Sequence, residues 1–336
     1  MSIKVIKPGL LTTVQDLGRY GHQQEGVIVS GSMDTLAMRV ANLLVGNPEN
    51  TAALEITLQG PVLYFEQDLL VALTGADMAA SINNQHVRLW RPLLVRAGST
   101  LKFRSAREGC RSYLAVSGGI DVPHVLGSAS TYLRAGFGGY RGRALRADDV
   151  LPCREASEVA AALVAKLADK AVGEWFAQPN WTLEPQPYMV YEEQPIIRAL
   201  PGLEHDLFNE ASRERFWGGK FQVTQQSDRM GYRLLGQVLQ LSEQKELLSS
   251  AVTFGTVQVP PQGSPIILMA DHQTTGGYPR IAQVITADLP KLAQVQPGQN
   301  IQFKEVSLQQ AHAHYLRQEA ELEQLKSAVA LRLNNA

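Results

Sequence analysis

Short apolar runs separated by turn residues recur along most of the chain. Each run holds four or five residues rich in Val, Ile, Leu, Phe or Tyr, and Gly, Asp or Ser residues separate them, a pattern typical of β-strands. The runs are Val62–Glu66, Leu69–Leu73, Thr100–Arg104, Ser112–Val116, Tyr188–Tyr191, Ile196–Leu200, Phe221–Thr224, Ile266–Met269 and Asn300–Phe303. Strands this short bury their apolar faces only by combining into barrels or sandwiches, so we predict a mainly β fold.

Three segments depart from the strand pattern and predict helices. Asp34 can cap a helix whose apolar residues share one face. Residues 155–176 are rich in Ala and place apolar side chains at helical spacing. Ser307 and Gln310 form a capping-box pair at the start of a last helix. We expect its apolar stripe to pack on the body of the protein or on a partner.

The length of 336 residues suits two domains of ordinary size. Three prolines fall within one ten-residue segment after the Ala-rich helix, and we interpret that segment as a linker. The predicted organisation is a β-barrel domain (1–177) with a helical extension (155–176), the linker (178–187), a second β-barrel domain (188–306) and a C-terminal helix (307–336).

A weak internal repeat links the two halves. Residues 95–103 resemble residues 295–303, and residues 112–123 resemble residues 267–279. The two elements occur in opposite order in the two halves. The pattern fits either two related barrels with rearranged strands or coincidence.

The charge balance limits the classes of partner. Lys and Arg number 31, Asp and Glu number 32, and the formal net charge is −1. Without a basic excess, neither nucleic acid nor a membrane surface is expected as a partner. Two cysteines cannot build a disulfide framework or a four-ligand zinc site, and the histidines lack metal-ligand spacing, so no metal site is expected.

One uncharged run, Leu247–Ala270, is long enough to span a bilayer, but it contains five Gly and Pro residues. These residues predict strands joined by a tight turn. The N-terminal residues lack the apolar core of a signal peptide, so we expect a cytoplasmic protein. No Met-Lys dipeptide occurs, so we expect no covalently attached biotin in this chain.

The densest polar cluster covers residues 271–280, directly after a strand-like run. Asp271 and His272 are candidates for acid and base, and Arg280 supplies a fork for a carboxylate. The hydroxyls of Thr274 and Thr275 can bind carbonyl or phosphate oxygens. The alternative is a turn whose polar side chains satisfy its own backbone.

A second polar cluster covers residues 225–233. Asp228 and Arg229 could line the same cleft, with Arg229 or Arg233 pairing an anionic group. The alternative is a surface hairpin with a local ion pair. Glu55 lies in a strand-like run, where a lone carboxylate needs either a role in a site or a buried Arg partner.

A glycine-rich loop at residues 134–143 combines backbone amides with arginines and aromatic residues. No G-x-x-x-x-G-K-[ST] phosphate loop occurs in the chain. The amides and arginines of this loop nevertheless predict a phosphate-binding or partner-binding role for Gly138, Gly139 and Arg141. The alternative is a mobile surface loop.

Several longer stretches resemble the carboxyltransferase subdomain C/D family, which includes the C subunit of bacterial 5-oxoprolinase, allophanate hydrolase subunit 2 and the matching part of urea carboxylase. The stretches that carry the resemblance are residues 8–21, 42–47, 53–57, 73–77, 111–121, 227–233 and 271–279. The resemblance covers about residues 3–305. The segment 155–176 and the tail after Ser307 are less typical.

The resemblance implies two cyclophilin-like β-barrel domains and an enzyme of several subunits. It implies a B-like partner and an A-like partner, named for the other subunits of 5-oxoprolinase, and an ATP-dependent opening of 5-oxo-L-proline to L-glutamate. ATP would be bound by the complex, in a subunit that the sequence leaves open. Phosphorylation of the lactam oxygen would turn a poor electrophile into a good one. We expect little activity from the chain alone.

The resemblance also places a pocket for a small-molecule substrate on the two polar clusters. The pocket residues that it implies are Asp271, His272, Gln273 and Thr274, with Asp228 and Arg229 beside them, and it leaves the nucleophile and the base unassigned. Together with the residue patterns above, we take Asp271 and His272 as the catalytic candidates. The substrate-binding candidates are Gln273, Thr274, Thr275, Tyr278, Arg280, Asp228, Arg229 and Glu55. Two other functions stay open: a biotin-dependent carboxyltransferase component acting on a urea-like acceptor, and a regulatory binding partner of a B-like kinase inhibitor.

Overall fold

The computed structural model describes residues 1–184, 191–243 and 245–334. Most of the predicted strand Tyr188–Tyr191 lies outside these residues. The helices are α1 (Thr35–Leu44), α2 (Glu158–Lys170), α3 (Glu210–Gly218), α4 (Leu289–Ala293) and α5 (Leu308–Asn334). The strands are β1 (Ser2–Lys7), β2 (Leu11–Gln15), β3 (Ala53–Thr57), β4 (Val62–Phe65), β5 (Leu69–Asp77), β6 (Ser81–Ile82), β7 (Gln85–His86), β8 (Pro92–Val95), β9 (Thr100–Lys102), β10 (Glu108–Val116), β11 (Val150–Pro152), β12 (Phe176–Ala177), β13 (Ile196–Pro201), β14 (Lys220–Val223), β15 (Gly231–Leu235), β16 (Ser250–Ala251), β17 (Thr256–Gln258), β18 (Ile266–Leu268), β19 (Thr275–Gly276), β20 (Arg280–Val284) and β21 (Asn300–Glu305).

These elements form two compact units, and each unit is built from segments that are separate in the sequence. Unit 1 comprises Met1–Gly18, Asp34–Val190 and Glu321–Ala336, and unit 2 comprises Arg19–Met33 and Tyr191–Ala320. Sequence patterns placed residues 19–33 in the first domain and residues 321–336 in a separate helix. The difference follows from burial, because Met33 lies in the core of unit 2, whereas Leu322 and Leu325 lie in an apolar cluster of unit 1.

Unit 1 is built from two six-stranded sheets. Their strand orders are β11-β1-β4-β9-β6-β7 and β12-β8-β5-β10-β3-β2. One core takes apolar side chains from both sheets, including Ile3 and Phe65 from the first and Leu54 and Leu114 from the second. A second apolar cluster packs α1, α2 and the later turns of α5 against strand residues such as Tyr113. Along the strands of the second sheet, alternation sends side chains to these two clusters in turn, as for Leu114 and Tyr113.

Unit 2 contains a closed barrel with the order β13-β20-β17-β18-β15-β14-β21. The pairs are antiparallel except β13 with β21, which run parallel. Phe216 of α3 stacks on Phe303 of β21 at a centroid distance of 4.4 Å and packs beside Phe221. Closure leaves the barrel without a free edge. The mainly β class is therefore confirmed, with a closed barrel in unit 2 and two sheets in unit 1.

The predicted starts of two helices are confirmed at the level of single hydrogen bonds. Asp34 Oδ1 accepts from the Ala37 N–H at 2.9 Å and caps α1. Ser307 Oγ accepts from the Gln310 N–H at 3.2 Å, while Gln310 Oε1 accepts from the Ser307 N–H at 2.8 Å. This reciprocal pair is the capping box that the sequence predicts for α5.

The Ala-rich helix is shorter than the predicted 155–176. Its cap is Ser157, whose Oγ accepts from the Ala160 N–H, and it ends at Lys170. Gly173 follows with a φ of +79°, a conformation that favours glycine and leaves the helix. Phe176 and Ala177 then form β12, which pairs with β8. Helical spacing therefore continues in the sequence beyond the point where the backbone leaves the helix.

The uncharged run Leu247–Ala270 forms strands, as predicted. It contains β16, β17 and β18, and β17 pairs antiparallel with β18. Within the turn between them, the Gly263 N–H donates to the Pro260 carbonyl at 2.8 Å. Among the described residues, no helix combines the length and apolarity needed to cross a membrane.

The internal repeat has a structural counterpart in its first element. In residues 95–103 and in residues 295–303, a tight turn leads into a strand, β9 or β21. Gly98 and Gly298 both have positive φ, at +80° and +96°. In each turn the residue after the glycine donates its N–H to the carbonyl three positions earlier, at 3.2 and 3.1 Å. The first element of the repeat is therefore a shared turn-and-strand element.

Candidate functional site

A cavity of about 260 Å³ opens on the barrel of unit 2 beside three adjacent strands. It is lined by residues of β15, β17 and β18, by the loop before β15, by the turn between β17 and β18, and by the segment between β18 and β20. The lining residues are Asp228, Met230, Gly231, Arg233, Gln258, Pro260, Gln262, Ile266, Leu268, Gln273 and Tyr278. We call this space the barrel cavity. It brings together the two polar clusters that are separate in the sequence, because β15 and β18 are neighbours in the barrel.

Three of the predicted site residues line the barrel cavity: Asp228, Gln273 and Tyr278. Asp228 is exposed and is held by its own turn, because Oδ1 accepts from the N–H groups of Met230 at 2.8 Å and Gly231 at 3.1 Å. Tyr278 is 47% exposed. Asp228 therefore supplies a fixed carboxylate, and Gln273 and Tyr278 supply neutral polar groups that can hydrogen-bond a ligand.

Asp271 and Arg229, which lie close in sequence to the lining residues Gln273 and Asp228, form a buried ion pair. Arg229 Nε donates to Asp271 Oδ2 at 2.9 Å, and Nη2 donates to Oδ1 at 2.9 Å. Ser30 Oγ also donates to Oδ1 at 2.7 Å, and Arg229 Nη2 donates to the Gly31 carbonyl at 2.5 Å. Both side chains of the pair are about 5% exposed. Both carboxylate oxygens of Asp271 are engaged, so the geometry favours a positioning role.

His272 is buried and has a defined tautomer. Its Nδ1 lies 2.6 Å from the Gln273 carbonyl oxygen, and because a carbonyl only accepts, Nδ1 carries the proton. Burial lowers the pKa of His272, which favours the neutral ring at pH 7 with Nε2 as an acceptor. His272 does not line the barrel cavity.

No group of three or more potential metal ligands occurs within the described ranges.

Arg280 is engaged by an acidic partner. Its Nε donates to Glu204 Oε2 at 2.7 Å, its Nη2 donates to Oε1 at 2.5 Å, and Nη1 donates to the Ala251 carbonyl at 3.1 Å. The hydrogen bonds from Arg280 lower the pKa of Glu204. The fork expected to hold a substrate carboxylate therefore already holds a protein carboxylate.

Thr274 and Thr275 belong to a two-stranded ribbon. The Thr274 carbonyl accepts from the Val252 N–H at 3.1 Å. Thr275 lies in β19 and pairs with Ala251 of β16. Neither residue lines the barrel cavity. Their role in substrate binding stays a prediction.

Sequence patterns left Gln258 and Gln262 out of the candidate site and named Arg233 only as an alternative to Arg229 for pairing an anionic group. Arg233 is exposed in β15, and its guanidinium makes no ion pair or hydrogen bond with a residue that the structure describes. Gln258 and Gln262 come from the uncharged run that forms β16, β17 and β18. Arg233 stood in the second polar cluster as an alternative to Arg229. The glutamines carried no signal in the sequence, because only the pairing of β18 with β15 and β17 brings them to this place.

Two other predicted positions lie in unit 1. The first, Glu55, is 1% exposed, and its Oε2 accepts from the Tyr113 hydroxyl at 2.7 Å. Its Oε1 lies 4.0 Å from Arg111 Nε. The expected buried arginine is present, together with a tyrosine that was not expected. These contacts satisfy the carboxylate inside the unit and favour a structural role.

The second position, the glycine-rich loop, uses its own amides for folding. The Gly139 N–H donates to the Ala129 carbonyl at 3.0 Å, and the Gly142 N–H donates to the Gly138 carbonyl at 2.8 Å. Arg141 is exposed and lies over the Tyr140 ring, with Cζ 5.1 Å from the ring centroid. A phosphate-binding or partner-binding role for this loop stays a prediction.

Comparison with known sequences supports the family resemblance. A family model described as "Carboxyltransferase domain, subdomain A and B" matches residues 25–305. A protein of Escherichia coli (strain K12), named as the C subunit of 5-oxoprolinase, is 44% identical over 333 residues, which cover 99% of both chains. A Haemophilus influenzae protein of the same name is 42% identical over 94% of this chain and 95% of that protein.

A solved structure shows the same fold within a much longer protein. The K. lactis urea amidolyase superimposes with a TM-score of 0.84 and 30% identity, covering 96% of this chain and 20% of that chain. This chain therefore corresponds to about a fifth of that enzyme. The matching family model names subdomains A and B, which corrects the subdomain C/D that the sequence motifs suggest. The chain belongs to the carboxyltransferase-domain family.

Proposed function

We propose that the chain is a subunit of an ATP-dependent 5-oxoprolinase, an enzyme that opens 5-oxo-L-proline to L-glutamate with ATP hydrolysis. Two relatives that align over nearly their whole length are named as the C subunit of 5-oxoprolinase. The observation that carries the proposal in this chain is the barrel cavity. Its volume of about 260 Å³ suits a small ring, and its lining combines a carboxylate, an arginine and three glutamine amides.

The chemistry of a lactam explains the need for such a lining. An amide is a weak electrophile, and ring opening needs a positioned water and stabilisation of the charge that develops on the amide oxygen. Gln258 and Gln273 each offer an amide donor and acceptor that match the lactam N–H and C=O. Asp228 offers a carboxylate that can orient water. These residues bind and orient the substrate.

ATP supplies the activation of the lactam oxygen when it is bound by the complex. In this chain, the amides of Gly139 and Gly142 are used inside unit 1, and the sequence lacks a lysine-bearing phosphate loop. These residues do not form a recognisable nucleotide cradle. We therefore place ATP with the assembled complex and assign no step of its chemistry to this chain.

The proposal includes two protein partners. The relatives are named as one subunit of an enzyme, which implies further subunits. We propose that these are a B-like carboxyltransferase protein and an A-like protein. The chain alone is then expected to show little turnover.

The test is release of L-glutamate from 5-oxo-L-proline and ATP by the chain co-purified with its A-like and B-like partners. Turnover should require this chain and should fall strongly with Gln273→Leu in the barrel cavity. Gln324→Leu, at an exposed position of α5, is the matched control and should leave turnover unchanged. A stable complex without ATP-dependent turnover would contradict the proposal.

A second candidate function is transfer of a carboxyl group from carboxybiotin to a urea-like acceptor. The likeness to the K. lactis urea amidolyase favours it, with a TM-score of 0.84. It requires biotin on another protein. The discriminating assay supplies carboxybiotin and urea to the same complex. Binding of the B-like partner, with neither activity in the complex, would instead indicate the regulatory function.

A further inference from the structure

Three arginines come from the two polar clusters, and the structure separates them by their partners. Arg229 is bound by Asp271 and the Gly31 carbonyl, and Arg280 is bound by Glu204. Arg233 makes no ion pair or hydrogen bond through its guanidinium with any described residue, yet it lines the barrel cavity. One guanidinium therefore stays available to a ligand in this place.

The backbone of β15 fixes the base of the Arg233 side chain. The Arg233 N–H donates to Ser227 Oγ at 3.1 Å, and the Arg233 carbonyl accepts from the Thr224 N–H at 2.9 Å. Its neighbours Tyr232 and Leu234 are buried in the barrel core. Strand alternation therefore places Arg233 on the opposite face of β15, where the barrel cavity lies.

The charged and polar lining residues determine how a charged ligand is oriented in the barrel cavity. Asp228 and Arg233 are its two charged lining residues, and Gln258, Gln262 and Gln273 are neutral amides. A ligand carboxylate is attracted by the guanidinium and repelled by Asp228. A guanidinium can hold a carboxylate through two parallel hydrogen bonds, which fix orientation as well as position. A neutral amide group of the ligand is then directed toward the glutamines and Asp228.

We infer that Arg233 holds the substrate carboxylate in the barrel cavity and that this contact selects small cyclic amides bearing a carboxylate. The inference rests on the proposed function, whose substrate carries both groups. Arg233 is a specificity-determining residue in this scheme. The reacting amide is turned toward Gln273 and Asp228.

The test crosses two substrates with variants of Arg233 in the assembled complex. The substrates are 5-oxo-L-proline and 2-pyrrolidinone, which has the same lactam ring without the carboxylate. Arg233→Met should raise the KM for 5-oxo-L-proline about 10- to 100-fold, the effect of losing a hydrogen-bonded charge pair, with a smaller change in kcat. It should leave kcat/KM for 2-pyrrolidinone nearly unchanged. Arg233→Lys should restore part of the lost affinity, because it keeps the charge without the fork.

Arg215→Met is the matched control, because Arg215 is an exposed arginine of α3 outside the barrel cavity. It should leave both substrates unaffected, and thermal unfolding should show that all variants are folded. An unchanged KM for 5-oxo-L-proline in Arg233→Met would overturn the inference while the proposed function stands. If the wild-type complex lacks turnover, calorimetric titration decides: Arg233→Met must weaken binding of 5-oxo-L-proline and spare 2-pyrrolidinone. Equal affinities of wild type and Arg233→Met would again refute the inference.

Discussion

Asp271 and Arg229, 42 positions apart in the chain, form a two-point ion pair with both hydrogen bonds at 2.9 Å. Each residue is 4% exposed. The Asp271 N–H also donates to the Arg229 carbonyl at 2.8 Å. The pair therefore joins the loop before β15 to the loop after β18. It secures the walls of the barrel cavity and is distinct from the lining itself.

Removing one member of this pair should destabilise the protein. Asp271→Asn leaves the Arg229 guanidinium buried without a full countercharge, which costs about 3–5 kcal/mol when a buried pair is broken. Arg229→Met should cost a similar amount, and the double variant should cost less than the sum, because the residues share one contact. Urea unfolding of the purified chain measures these free energies.

The matched control is Asp121→Asn, which breaks an ion pair with Arg154 whose two side chains are about half exposed. Its expected cost is about 1 kcal/mol or less. If Asp271→Asn kept full stability while abolishing turnover of the complex, Asp271 would be a catalytic residue, as the sequence suggests.

Tyr113→Phe should destabilise unit 1. The Tyr113 hydroxyl donates to Glu55 at 2.7 Å and accepts from the Asp34 N–H at 2.8 Å, and the side chain is fully buried. Burial, reinforced by Glu55, raises the pKa of Tyr113 well above its usual value, so the hydroxyl keeps its proton at neutral pH. Loss of the hydroxyl leaves the buried Glu55 carboxylate and the Asp34 N–H without this hydrogen-bond partner, at a cost of about 1–3 kcal/mol. Tyr64→Phe, at a half-buried position of β4, is the control. Equal effects of the two changes on the free energy of unfolding in urea would contradict the prediction.

The pair of Glu204 and Arg280 predicts how stability depends on pH. Because Arg280 lowers the pKa of Glu204 in the folded state, the pair stabilises the fold above the usual carboxyl pKa. This stability is lost as the pH falls through the lowered pKa. Arg280→Gln should therefore destabilise the chain near neutral pH, and its stability should approach that of the wild type as the pH falls below the lowered pKa of Glu204. A destabilisation that stays constant from neutral to acid pH, measured by urea unfolding, would show that the ion pair is not its source.

Two glycines of the loop 134–143 make a matched pair of variants. Gly136 and Gly139 have φ of +69° and +53°, a region that costs other residues about 1–2 kcal/mol. A Cβ on Gly136 would meet open space, whereas a Cβ on Gly139 would collide with the Thr131 side chain. Gly139→Ala should therefore lower the melting temperature clearly more than Gly136→Ala. Equal shifts would show that crowding at Thr131 does not constrain the loop.

Local sequence patterns predicted local structure well. The cap at Asp34, the capping box at Ser307 and the strands of the run Leu247–Ala270 depend on neighbouring residues, so the sequence contains the needed information. The end of α2 was predicted less well, because helical spacing in the sequence carries no information about the pairing of β12 with β8. Pairing with a distant strand decided that boundary.

The candidate site divides in the same way. The two polar clusters were identified from residue type and spacing, and the structure brings Asp228, Gln273 and Tyr278 from them into one cavity. Which arginine is available to a ligand depends on partners far away in the chain. Arg280 is engaged by Glu204, 76 positions away, and Arg229 by Asp271. No sequence pattern within either cluster shows that these residues are in contact.

The sequence by itself determined the mainly β class, the helix caps, the family and the two segments that supply residues to the candidate site. These properties follow from side-chain periodicity, local hydrogen bonding and long matching motifs. Only the tertiary structure decided which charges neutralise one another, which glutamines join the site and that Arg233 faces the barrel cavity. Strand pairing in the barrel sets these relationships, because β18 pairs with both β15 and β17, and the ion pair of Asp271 and Arg229 is buried next to them.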